Sequence, residues 1–192
     1  MDSEEFSARL KYLLGLYDAE VNAALLNLLD SHDTPRFITT VGDDESAFEM
    51  AQLFLLTFPG APCIYYGDET GMKGASDPDC RRTFNWDSTS WDHLRLARVK
   101  AMVALRHQWA ALRGGEVKIL YTADGLFAFE RRLGEERLWI AFNINEDERG
   151  FNAGEALGAD LLYGTAGVQV ENKQVRLTLS ARSGAVFVVK SA

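Results

Sequence analysis

The chain has 192 residues, 47% of them hydrophobic, enough for one large domain or two small ones with real cores. A net charge of −8 and a pI near 4.9 argue against nucleic acid and anionic membrane, whose phosphates select clustered Lys and Arg, and favour a neutral partner such as a polysaccharide. Cys63 and Cys80 form neither a disulfide framework nor a metal-binding spacing, no run reaches transmembrane length, and Asp2, Glu4 and Glu5 stand where a signal peptide would be basic, so the expected location is cytoplasmic.

Phe6, Leu10, Leu13, Leu14 and Tyr17 recur at helical spacing, which predicts an amphipathic helix over 3–17 with Ser3 as its N-cap. Leu25, Leu26, Leu28 and Leu29 read as a strand covered on both faces, because an apolar run without polar alternation suits that environment. The run ends in Asp30-Ser31-His32-Asp33-Thr34-Pro35-Arg36, with Thr34 and Pro35 placed as N-cap and first residue of a helix. His32 and Asp33 then stand at the C-terminal end of a strand, where α/β folds carry their reacting groups. The alternative is a Ser-His-Asp cluster that only caps the helix.

Residues 45–57 predict a second amphipathic helix, with Phe48, Leu53, Leu55 and Leu56 inward, stopped by Phe58-Pro59-Gly60. Cys63-Ile64-Tyr65-Tyr66 is the next strand, followed by Gly67-Asp68-Glu69, and the succession strand, helix, strand is a βαβ unit. Residues 71–87 form a loop too long for a simple connector; it carries Asp77-Pro78-Asp79-Cys80-Arg81-Arg82 and Trp86, a sugar platform or, more commonly for Trp, a core anchor. A long helix is predicted over Trp91–Leu112, capped by Ser90, with Leu94, Ala97, Ala101, Leu105 and Trp109 on one stripe. His93 and His107 on it lack a third ligand and read as surface residues, and no metal or cofactor is expected. Arg81–Arg82 and Arg131–Arg132 read as solvated or paired surface charge.

At Arg113-Gly114-Gly115 the pattern turns from helical to alternating, dividing the chain into 1–114 and 115–192. Strands are predicted at 116–121, 125–132, 136–145, 160–163, 168–171, 174–179 and 184–190, with a hairpin connection at Glu171-Asn172-Lys173, which together suit a small antiparallel β-sandwich.

Asn27-Leu-Leu-Asp-Ser-His-Asp-Thr-Pro-Arg36 resembles the fourth signature region of the α-amylase family of glycoside hydrolases, in the form found in neopullulanase, cyclomaltodextrinase and maltogenic amylase. Pro62-Cys-Ile-Tyr-Tyr-Gly-Asp-Glu69 resembles that family's eighth-strand signature, in the right order and at the right distance. The resemblance implies an α/β plus β protein: the last two strand-helix units of a (β/α)8 barrel over 1–114, then a C-terminal β domain covering the last barrel helix. It implies that Asp33 is the third catalytic carboxylate and His32 its companion on the sugar at the cleaved bond. Asp77 and Arg81, four residues apart, match positions that bind the next sugar; their alternative is a salt bridge bracing the loop. Arg36, Tyr66, Asp68 and Glu69 would orient the site from behind, the two carboxylates being otherwise simple loop charges.

A retaining glycosidase needs a carboxylate nucleophile and a carboxylic acid flanking the bond. In the α-amylase family these follow the fourth and fifth strands, to which no segment here corresponds. The expected role is therefore that of the C-terminal part of an α-glucan hydrolase, inactive alone, whose partners are α-glucan oligosaccharide or polysaccharide and the upstream barrel half, with self-association through open strand edges when that half is absent. The other reading is a non-catalytic carbohydrate- or protein-binding module left from such an enzyme.

Overall fold

The computed structural model describes residues 2–190. Its first part is helical around two short parallel strands: α1 (Ser3–Leu14), α2 (Ala19–Ala24), β1 (Leu26–Leu28), α3 (Phe37–Thr40), α4 (Glu45–Thr57), β2 (Ala61–Cys63), α5 (His93–Gln108) and α6 (Ala110–Gly114). The α1 cap is Asp2, one residue before the expected Ser3; its carboxylate accepts the Glu5 N–H at 2.8 Å. The helix stops at Gly15, so Tyr17 lies outside it and is exposed. Helix α4 has its expected limits, with the Asp44 carboxylate accepting the Ala47 N–H.

β1 pairs with β2 in parallel, Leu26 opposite Ala61 and Leu28 opposite Cys63, so the βαβ direction holds. The strands differ from expectation in extent and burial. Leu26 is 64% exposed and Leu28 44%, because a two-stranded sheet presents too little backbone for other elements to cover both faces. β2 ends at Cys63, and Tyr65 and Tyr66 leave it to face the Arg36 guanidinium.

The predicted helix over 91–112 is two helices. Asp92, not Ser90, caps α5 by accepting the Arg95 N–H, and the extended backbone of Trp109 separates α5 from α6. The buried face of α5 is Arg95, Val99, Met102, Leu105 and Arg106, while Leu94 is 62% exposed. The predicted stripe shares only Leu105 with this face, two of whose members are arginines with their charges met inside: Arg95 by Glu45, Arg106 by main-chain carbonyls. His93 and His107 are exposed, as expected.

Residues 116–190 form eight strands: β3 (Glu116–Ala123), β4 (Leu126–Leu133), β5 (Glu136–Asn143), β6 (Arg149–Glu155), β7 (Gly158–Tyr163), β8 (Ala166–Glu171), β9 (Gln174–Leu179) and β10 (Ser183–Lys190). Seven were expected. β6 carries Gly150, Asn152 and Gly154, residues that weaken strand propensity, and its place is set by pairing with β9. The sheets run β3-β4-β5-β10-β7 and β6-β9-β8, all pairings antiparallel. Asn172 and Lys173 both have positive φ at the β8–β9 hairpin, as a tight two-residue connection needs.

The five-stranded sheet is a middle layer buried on both faces. Leu126, Ala128, Trp139, Ala141 and Phe187 meet Phe151, Val175, Leu177 and Leu179 of the three-stranded sheet. Phe127, Phe129, Leu138, Ile140 and Phe142 meet Leu10, Leu53, Leu56, Met102, Leu105 and Leu112 of the helices. The β part thus covers α1, α4 and α6 as well as α5. Arg131 lies in this layer and is 1% exposed, a correction to its reading as surface charge, while its neighbour Arg132 is exposed.

Candidate active site at the ends of the parallel strands

β1 ends at Leu28, and the chain turns at once. The Asp30 carboxylate, 3% exposed, accepts the Phe37 N–H at 2.6 Å. Thr34 does not cap α3; its hydroxyl accepts the Ser31 N–H within the turn, and α3 begins only at Phe37, after Arg36. The turn between presents His32 and Asp33 to solvent, their side chains 62% and 69% exposed.

The loop after β2 closes over this turn. Arg81 Nε donates to the His32 carbonyl at 2.9 Å and lies 2.9 Å from Asp77 Oδ1, while Nη2 donates to Asp33 Oδ1 at 3.2 Å. His32 Nε2 lies 3.4 Å from the same Asp33 oxygen. The fully buried Cys80 adds its S–H to the His32 carbonyl at 3.3 Å. His32, Asp33, Asp77 and Arg81 therefore form one exposed cluster, with opposite charges adjacent and hydrogen-bond acceptors and donors side by side, suited to the vicinal hydroxyls of a polyol.

The long loop is held down rather than loose. Gly74 donates to Thr39 Oγ1 and accepts from the Arg36 N–H, the Asp79 carboxylate accepts the Ala75 N–H and pairs with Arg82, and Trp91 Nε1 donates to the Asn85 carbonyl. Trp86 is not the expected core anchor: it is 82% exposed, in edge contact with Phe84. No element packs over it because the surrounding loop residues are polar and solvated.

Behind the cluster Arg36 is fully buried. Its Nη1 donates to the Tyr66 carbonyl at 2.8 Å and to Asp68 Oδ1 at 2.9 Å, and its remaining nitrogens find no hydrogen-bond acceptor while the guanidinium lies over the Tyr65 and Tyr66 rings. Tyr66 also reaches forward, its hydroxyl donating to the Arg82 carbonyl at 2.7 Å. Arg36 and Tyr66 thus join the two strand-end loops. Glu69 does not: its carboxylate accepts the Gly67 N–H of its own turn at 2.8 Å. Gly67 has φ 89°, and a Cβ there would lie 2.2 Å from the Met72 sulfur, so only glycine allows this turn.

Two members escape sequence reasoning. Cys80 is one apolar residue in a polar loop, and Asp30 is one of several carboxylates in its stretch; neither pattern reveals which group is buried. Burial first, then the neighbouring Asp30 carboxyl, push the Asp68 carboxyl up to about 8 against the pull of Arg36. The folded chain then keeps a proton that an unfolded carboxyl, at its ordinary 3.8, has shed. Between those values the native state binds more protons, so stability falls as pH rises through that window. Urea unfolding at about pH 5 and about pH 9 is expected to show this decline, and Asp68→Asn to flatten it; an unchanged slope in the variant would assign the decline to other groups.

Carboxylates at the C-terminal ends of parallel strands, gathered with an imidazole and a guanidinium at one rim and followed by layered antiparallel sheets, define an α/β plus β protein with a polar cluster at its strand ends. Residues 3–109 match the family described as alpha amylase, catalytic domain, and the chain belongs to the α-amylase family. It is 43% identical over 149 residues to a cyclomaltodextrinase of Geobacillus thermopakistaniensis, covering 77% of this chain and 25% of that protein. It is 36% identical over 184 residues to neopullulanase 2 of Thermoactinomyces vulgaris, covering 94% of this chain and 32% of that protein. The crystal structure of a debranching enzyme from Nostoc punctiforme superposes with a TM-score of 0.90 at 38% identity, over 98% of this chain and 40% of that one. The chain thus spans a quarter to a third of the length of these curated relatives. No helix among the described residues is long and apolar enough to cross a membrane.

Proposed function

We propose that this chain is the C-terminal part of an α-glucan hydrolase of the retaining type, 1–114 forming the last two strand-helix units of a (β/α)8 barrel and 115–192 its C-terminal β domain. The observation that carries the reading is the cluster at the strand ends, where Arg81 touches Asp33, Asp77 and the His32 carbonyl at once. Asp33 holds the hydroxyls of the sugar at the cleaved bond and supplies negative charge as the ring becomes oxocarbenium-like. His32 hydrogen-bonds the same sugar, and Asp77 with Arg81 takes the next one. Arg36 and Tyr66 hold the two loops in register, and Glu69 shapes the turn after β2. The nucleophile and the general acid come from residues outside these 192, in an upstream barrel half that pairs with the exposed β1–β2 sheet. A cytoplasmic location accords with the intracellular maltogenic amylase of Bacillus subtilis, 35% identical over 127 residues.

The test is complementation. The chain alone is expected to self-associate in light scattering and to release no reducing sugar from α-glucan; with the upstream half supplied it should become monodisperse and active. Hydrolysis by the purified chain alone would overturn the division of labour. In the complemented enzyme, Asp77→Ala and Arg81→Ala should change the preference among substrate lengths, because a remote sugar contact is lost only by substrates long enough to make it. An equal loss in kcat/KM for short and long maltooligosaccharides would reduce the pair to a brace for the loop.

A further inference from the structure

Between the helical layer and the turns of the β part lies a cleft of about 390 Å³ that shares no residue with the strand-end cluster. Glu49 on α4 and Arg98 on α5 form one wall; Tyr163, Thr165, Ser180 and Ser183, from the ends of β7 and β9 and the start of β10, form the other. Several of its polar groups are paired with one another, among them the Ser183 hydroxyl, which donates to the Ser180 carbonyl at 2.8 Å. The Tyr163 hydroxyl donates to Glu49 Oε1 at 2.7 Å, and Arg98 Nη1 lies 3.4 Å from Glu49 Oε2, both side chains about one-third exposed and so still open to the cleft. Burial, followed by the Glu49 hydrogen bond, holds the Tyr163 phenol protonated well above its ordinary range. Arg182 at the mouth is tied to Asp44 and Glu146.

Two features select the ligand. Each guanidinium is already matched by carboxylate, Arg98 by Glu49 and Arg182 by Asp44 and Glu146, so no uncompensated cation remains to hold an anion. What remains is the Thr165 and Ser180 hydroxyls, with the accepting oxygens of Tyr163 and Ser183, lining one cleft with a carboxylate–guanidinium pair, the same donor and acceptor chemistry as Asp77 with Arg81, in a volume inside the roughly 300–1,000 Å³ range of small-molecule sites. We propose that this cleft is a second, non-catalytic carbohydrate site that takes a short neutral oligosaccharide. The polyol chemistry stands on the cleft itself; the choice of an α-glucan rests on the function proposed above. Because the site bridges α4, α5 and the β turns, an occupying sugar also ties the helical and β layers together.

The experiment is calorimetric titration of the 192-residue protein with maltotriose in an Asp33→Asn, Arg81→Ala background that disables the strand-end cluster. Saturable binding is expected there. Thr165→Trp, which fills the cleft from an exposed position, should abolish it, and Glu49→Gln, which keeps the side chain's shape, should weaken it about tenfold through the loss of one charged acceptor. Sodium sulfate should not compete. Circular dichroism confirms that each variant is folded, and Glu49→Gln serves alone if Thr165→Trp is not. Absence of binding in the disabled background, unchanged affinity in Glu49→Gln, or displacement by sulfate each overturns the proposal. A failure of the strand-end assignment shows instead as wild-type turnover in Asp33→Asn, which leaves this titration unaffected.

Discussion

Asp33→Asn is expected to lower turnover on maltooligosaccharides by about a hundredfold or more in the complemented enzyme, far more than it weakens substrate binding. The asymmetry follows from when the charge is needed. In the ground state the sugar is neutral, and the amide oxygen still accepts from its hydroxyls, so binding loses no more than about the tenfold of one charged acceptor. As the glycosidic bond lengthens, positive charge spreads over the ring, and only the carboxylate gains from it, so the loss falls on the transition state. In the unliganded chain this charge is lent to Arg81, whose Nη2 is 3.2 Å from Asp33 Oδ1 with both side chains about half exposed or more. An exposed pair of this kind is weak, so a sugar hydroxyl can displace the guanidinium, leaving Arg81 to its partners Asp77 and the His32 carbonyl. Steady-state kinetics of the two enzymes decide the matter: equal turnover removes Asp33 from the site, and a loss confined to KM makes it a binding residue only.

The parts of this molecule that were legible in the sequence are those where one face is apolar and the other wet. Helix α4 shows its end through Phe58-Pro59-Gly60, and β8 and β9 show theirs through Asn172 and Lys173. The cluster was legible for a different reason, the resemblance to the α-amylase family's signature stretches, which singled out His32 with Asp33 and matched Asp77 with Arg81; the last two pair directly at 2.9 Å. Two readings that failed were of the Leu25–Leu29 run as a strand covered on both faces and of Arg131 as surface charge. Leu26 and Leu28 look like core and are exposed; Arg131 looks like surface and is buried, as are Arg95 and Arg106, whose burial no sequence pattern announced. Hydropathy cannot register that a guanidinium has found carbonyls or carboxylates in the interior, because those partners come from distant elements. For the same reason β6, glycine-rich and weak in local preference, appears only once β9 is there to pair with it.

Arg131 gives the largest expected effect on stability. Helix α4 ends at Thr57, and its last carbonyls have no partners within the helix. Two arginines supply them. Arg106 donates to the carbonyls of Leu56, Phe58, Gly60 and Leu112, and Arg131, from β4, donates to those of Thr57 at 2.6 Å and Gly115 at 2.9 Å. Neither has a carboxylate partner among the described residues; the negative end of the helix dipole and the carbonyl oxygens stand in for one. Burial first, and then the neighbouring Arg106, bring the Arg131 pKa down to about 10, so it remains charged at neutral pH. Arg131→Met keeps the volume but leaves two interior carbonyls without donors at the seam between the helices and the middle sheet, and is expected to cost about 3 kcal/mol. Arg131→Lys keeps the charge but has one nitrogen where the fork had two, and should fall between. Arg132→Ala, one residue along and facing water, should lie within about 0.5 kcal/mol of the parent. Urea unfolding of the four proteins reads these differences directly, and an Arg131→Met variant as stable as Arg132→Ala would mean that the α4 carbonyls find water or other donors once the guanidinium is gone.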